Sequence, residues 1–297
     1  MDDATLAVAR TAASALFDVG FATMVGALAT SALLQDTSSD WAMRAARRCR
    51  RLFMRAGLLA LAASLAWMAL QAIAMTELPP LAALASVAGL VADTGFGRAW
   101  AAATLAVVAC VALARVRRYR PVPLRGLGVA TTAIAVAHAS AGHAVAMGIG
   151  WQVPAMAVHL LATGLWAGGV VAAVLAVLRG DVPAVDGVRY ARRLSLLATI
   201  ALVGVAATGG ASAWHELGGS LAPLAPASAS PWGVVLDVKL ALVGTAVVLG
   251  AFNRFVALPA LPEGWGRFRA VLRVEACVLV AALVAAAWLA NGEPPAV

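Results

Sequence analysis

Apolar runs of about 18 residues or more recur along the chain, long enough to cross a hydrocarbon core roughly 30 Å thick. Inside lipid the backbone N–H and C=O groups find no water, so only helices or a closed barrel can span. Ala, Val and Leu fill these runs and charges gather between them, without the apolar/polar alternation of barrel strands. Helices follow. Hydrophobic residues make up 63% of the 297 residues and charged residues 12%, too little polar surface for a soluble domain of that size. The sequence therefore predicts an all-α polytopic membrane protein, a single transmembrane domain over residues 1–297 in contact with the lipid bilayer.

Eight transmembrane helices are predicted, at about 6–34, 53–75, 98–115, 124–147, 152–178, 192–214, 232–253 and 270–290. The first ten residues lack the basic start and small-residue cleavage pattern of a signal peptide, so the first span is expected to be retained. Arginines crowd every second connection, at Arg44–Arg55, Arg115–Arg125, Arg179–Arg193 and Arg254–Arg273. The alternate connections carry Glu77, Asp93 and Glu216, with Arg98 their single basic residue. By the positive-inside rule the arginine-rich loops are cytoplasmic and both termini lie outside.

Residues 76–97 contain an apolar stretch too short to span, which predicts a short interfacial helix in the 2–3 connection. Spans 1 and 5 share a loose small-residue pattern, and RAARRCRRL returns as RYARRLSLL, which admits a four-plus-four tandem repeat. The net charge of +8 sits in short loops beside span ends, where it sets orientation and meets anionic lipid; nucleic-acid binding is not expected. Cys49, Cys110 and Cys277 lack paired spacing and are read as packing residues on the cytoplasmic side.

All four histidines, His138, His143, His159 and His215, fall toward the outer side of this topology. His143 and Met147 are four apart and Met156 and His159 three apart, so each pair shares a helix face. The link GIGWQVP folds spans 4 and 5 into a hairpin that can bring two imidazoles and two thioethers to one point. Imidazole suits either copper oxidation state and thioether favours Cu(I). His138 lies about 140° around the helix from His143 and faces another neighbour. The same histidines also fit structural hydrogen bonds between helices or proton handling. Haem b held by His138 and His159 is the alternative for a bound group.

Asp18 lies near the middle of span 1, and Asp237 and Lys239 in the outer part of span 7. These three are the expected polar groups of a transport pathway, with Asp18 as the relay and Lys239 as a counter-ion for either carboxylate. Glu275, near the inner end of span 8, is expected to pair with Arg273 or another loop arginine.

HLLATGLWAGG (159–169), ATGGASAW (207–214) and SPWGVVLDVKLALVGTAVVLGAFNRF (230–255) resemble the copper resistance protein D (CopD) family, best over residues 155–290. The resemblance implies a multi-pass protein of the bacterial inner membrane that takes up copper ion from the periplasm, with a periplasmic CopC-type partner. Both termini are then periplasmic. Trp232 stands where the family prefers Tyr, and His215 where many members carry an aliphatic residue. No P-loop or DKTGT-type phosphorylation motif occurs, so neither an ATP-driven pump nor an enzyme is expected.

Overall fold

The computed structural model describes residues 2–37, 39–116, 124–141, 150–216 and 230–292. Among these the chain is helical without strands. In chain order the helices are α1 (Asp3–Leu33), α2 (Asp40–Thr76), α3 (Pro80–Asp93), α4 (Gly95–Val116) and α5 (Leu124–Ser140), followed by α6 (Gln152–Val177), α7 (Ala184–Glu216), α8 (Pro231–Ala257) and α9 (Trp265–Asn291). Seven of them, all but α3 and α5, are long and apolar enough to cross a membrane. The expected fourth span appears as the 17-residue α5, and its continuation to 147 lies outside the described residues. The all-α polytopic membrane fold stands; seven such helices are found among the described residues, and the eighth expected span runs into residues outside them.

Local chemistry sets the ends. Ser39 caps α2, its hydroxyl accepting from the Ala42 N–H at 3.3 Å, and Asp40 adds negative charge to the first turn. That cap starts α2 well before the expected residue 53, so the arginine-rich segment is itself helical, as the good helix propensity of Arg permits. Ser230 caps α8 in the same way through the Gly233 N–H at 3.0 Å, with Pro231 at the first helical position. The expected short helix in the 2–3 connection is α3, with Pro80 at its start and 14 residues long.

The helices α1 and α6 are the most enclosed of the candidate spans, and α1 packs against α2, α5, α6, α7 and α9. It is held to α6 by backbone contact. A Cβ on Gly168 would lie 1.7 Å from the Ala22 carbonyl oxygen, and one on Gly26 1.8 Å from the Gly168 carbonyl carbon. The pairs Ala22/Gly26 and Gly164/Gly168 are both small-xxx-small, the pattern by which helices in lipid approach closely enough for van der Waals contact between their backbones. One buried cluster then joins Phe17, Phe21 and Met24 to Phe53, Val107 and Ile134, and another joins Trp41, Trp166, Tyr190, Leu194 and Phe268. Helices α7 and α8 lie at the edge, most of their side chains turned away from the bundle.

Arginines from separate connections meet at one end of the bundle. Arg48 donates to the Ala176 and Val177 carbonyls at the end of α6, where the helix closes in a π turn. Arg193 donates to the Leu33 carbonyl at 3.1 Å and pairs with Asp36 at 3.1 Å. Arg254 donates to Ser195 and Thr199, and Arg269 to the Gly180 carbonyl at 3.0 Å. Free helix-end carbonyls are thereby satisfied by charge-assisted donors.

The glycine crossing makes a sharp expectation. Gly168→Ala should lower the thermal midpoint in detergent by an amount equivalent to about 1–3 kcal/mol, although alanine is the better helix former. Gly128→Ala, where a Cβ meets nothing within 4 Å, should leave the midpoint unchanged or slightly raised. Equal midpoints for the two variants would mean that the crossing carries no packing energy.

Candidate functional site

His159 sits on the third turn of α6, half-buried against α7. Its Nδ1 lies 2.9 Å from the Thr208 hydroxyl oxygen. That hydroxyl already donates its proton to the Gly204 carbonyl at 2.6 Å. A hydroxyl has one proton to give, so at this contact Nδ1–H donates and the Thr208 oxygen accepts. The Nδ1–H tautomer follows, and the Nε2 lone pair is left for another partner. A hydrogen bond on one ring nitrogen that fixes tautomer and ring direction is the usual company of a histidine that binds metal through the other. Gly209, next in the chain, leaves the ring its space: a Cβ there would lie 3.3 Å from His159 Cε1. Thr208 and Gly209 belong to the ATGGASAW segment. Sequence reading had not assigned Thr208 a role, and its signal was a polar residue in an otherwise small and apolar stretch.

Lys239 of α8 is within electrostatic reach of both Asp18 on α1 and His159. Three of the residues singled out from sequence thus belong to one neighbourhood, with the expected counter-ion among them. Phe17, beside Asp18, stacks on the His138 ring with centroids 4.7 Å apart and an interplanar angle of 23°. His138 and His159 are occupied differently, one by an aromatic face and the other by a hydroxyl, and these contacts lend the bis-histidine haem arrangement no support.

The remaining candidates are exposed or lie outside the described residues. Met156, three residues before the half-buried His159 on α6, is exposed. His215 is exposed and meets the Trp151 ring edge-on at 5.7 Å. Asp237 is exposed on α8. His143 and Met147 lie outside the described residues. Among the described residues no three His, Cys, Asp or Glu side chains converge as a metal-binding group.

Glu275 departs from expectation. It is 3% exposed, turned into the bundle, and accepts from Asn253 Nδ2 at 3.3 Å, while Arg273 faces outward. Asn253 opens a π-helical turn, Asn253–Ala257, at the end of α8, and Gly250 one turn earlier gives the carboxyl room.

A bundle of long apolar helices that encloses Glu275 and holds Asp18, His159 and Lys239 partly buried is that of a polytopic membrane protein with polar groups in its interior. Residues 188–289 match the family described as Copper resistance protein D, and residues 1–153 match the Copper resistance protein D-like N-terminal domain. The chain belongs to the copper resistance protein D family and is a copper resistance/transport membrane protein. His159 and its HLLATGLWAGG segment fall between the two matched stretches. No curated protein and no solved structure matches the chain.

Proposed function

We propose that this protein moves copper across the bacterial inner membrane from periplasm to cytoplasm, without enzymatic chemistry, and that His159 is the entry ligand. The observation that carries the reading is the His159–Thr208 contact, which leaves Nε2 open toward the ion. His143, Met147 and Met156 complete the entry site in this proposal, with His138 and His215 as further ligands on the same side. Copper reaches them from a periplasmic CopC-type partner, and the arginine-rich end of the bundle faces the cytoplasm. From His159 the ion passes toward Asp18, the acid nearest the span centre, with Lys239 neutralising the carboxylate between ions and Asp237 at the outer approach. The reach of Lys239 to both Asp18 and His159 supports this order.

Copper binding to the purified protein tests the ligand. His159→Ala should abolish it, and Thr208→Val, which removes only the orienting hydroxyl, should weaken it about 10–100-fold. Wild-type affinity in both variants would return His159 to a structural role. Binding lost in Thr208→Val but kept in His159→Ala would also refute the assignment.

The relay is tested separately. Asp18→Asn should slow copper accumulation in cells while copper binding to purified protein persists. If Asp18 only pairs with Lys239, Asp18→Asn should instead destabilise the protein, and adding Lys239→Met should restore it. Orientation is read by cysteine labelling in a Cys277→Ser background, since Cys277 is exposed whereas Cys49 and Cys110 are buried. A cysteine at Leu78 should react from outside intact cells and one at Pro183 only after lysis; the reverse pattern would invert the topology.

A further inference from the structure

A second polar site lies near the arginine-rich end, away from the histidines. Glu275 and Asn253 line a cavity of about 210 Å³ between α7 and α8, floored by Trp166 and edged by Ser195, Thr199 and Arg254. Glu275 is 3% and Asn253 5% exposed. Asn253 Nδ2 contacts Glu275 Oε2 at 3.3 Å, yet Asn253 Oδ1 is buried without a hydrogen-bond partner among the described residues. A carboxylate cannot supply the missing donor, because an ionised carboxyl only accepts. A carboxylic acid can, for it presents one acceptor and one O–H, the complement of a carboxamide. Exchanging the nitrogen and oxygen of the amide leads to the same demand. The 3.3 Å contact would then join two oxygens and would itself need a proton on Glu275.

The charged neighbours do not replace that proton. Arg254, on the same π turn as Asn253, gives its Nη1 to Ser195 and Thr199 of α7, not to Glu275. Arg269 is turned to the Gly180 and Trp265 carbonyls, and Arg273 is exposed. Arg193 and Arg48, from α7 and α2, are engaged with Asp36, Leu33 and the end of α6. On α1 the intramembrane acid is Asp18, which lies with Lys239 of α8 near the histidine end; Asp237 of α8 is exposed. The Tyr190 hydroxyl, on α7, has no hydrogen-bond partner among the described residues and no charge to offer. The Trp166 indole borders the carboxyl and is a donor only.

We propose that Glu275 and Asn253 form a carboxylic acid–carboxamide pair that binds a proton within the bundle and exchanges it through the cavity between α7 and α8. The proton is held between Glu275 Oε1 or Oε2 and the amide oxygen; on release Asn253 keeps only its N–H bond to the carboxylate. On the copper-transport function proposed above, this is the group that couples the ion to protons.

The test is infrared spectroscopy of the purified full-length protein near neutral pH. A carboxylic acid C=O band that shifts in deuterium oxide is expected in the wild type and in Asp18→Asn, and should be lost in Glu275→Gln. Glutamine keeps both hydrogen bonds of the neutral acid, so Glu275→Gln should retain the wild-type thermal midpoint, whereas Glu275→Leu should lower it. No such band in the wild type, or a band that survives in Glu275→Gln, overturns the proposal. So does a sodium-dependent change of carboxylate bands at constant pH, which would make the site a sodium site. If Glu275→Gln does not fold, Asn253→Leu must shift the wild-type band, and an unmoved band refutes the pair. In proteoliposomes an imposed pH gradient should speed copper uptake at least several-fold by the wild type but not by Glu275→Gln, which still binds copper. Wild-type vesicles that take up no copper would remove the transport reading and leave the infrared result to decide the proton site.

Discussion

Backbone contact between α1 and α6 governs the placement of everything else. Lipid gives no hydrophobic drive for helices to associate, so close packing must supply the energy. Gly26 and Gly168 supply it by bringing main chains together where no Cβ fits. With α6 pressed on α1, His159 faces α7 and Trp166 enters the interior beside Glu275. Two π turns in α6, Gly164–Gly168 and Ala173–Val177, adjust which residues face α1 along its length. A π turn redirects the helix face that follows it, and such turns recur at functional positions.

Polar groups in this bundle are expensive, and the structure shows two ways of bearing the cost. At the arginine-rich end, donors are matched to helix-terminal carbonyls, where solvent and headgroups are near; the exposed Arg193–Asp36 pair adds little by itself. Inside, polar side chains use one another: Ser64 bonds Thr104 at 2.8 Å, His159 bonds Thr208, and Asn253 bonds Glu275. Each of these joins two helices, so the polar atoms fix rotation as well as being satisfied. Apolar side chains of similar volume would leave that rotation less defined.

The spans were legible because run length in lipid is a backbone requirement, indifferent to which apolar residue fills it. Alternating arginines were legible for a similar reason, and their gathering at one end of the bundle agrees with it. Facing was not legible. In α8 nearly every residue is apolar, so no periodicity marks the buried side, and Asn253 and Glu275 could not be paired from spacing. Arg273 looked the natural partner for Glu275 because it lies only two positions before it, but residues two apart on a helix do not share a face. The start of α2 was missed because arginines suggested a loop, when a Ser39 cap and good helix formers continue the helix into the aqueous boundary. Thr208 was passed over since threonine is common in such helices, and only the geometry shows that its proton is already spent.

His159 and Trp166 stand seven residues apart on the same helix, about 10 Å along its axis. Between and beside them α6 is pinned to α1 at Gly164 and Gly168, and its far end is held through Arg48. A stiff rod fastened near its middle can only seesaw. Any tilt that draws the His159 end toward α7 carries the opposite end the other way, against the Arg48 bonds to the Ala176 and Val177 carbonyls. The glycine crossing is therefore a fulcrum as well as a packing contact, with His159 on one arm, the Arg48-held turn on the other and Trp166 at the pivot.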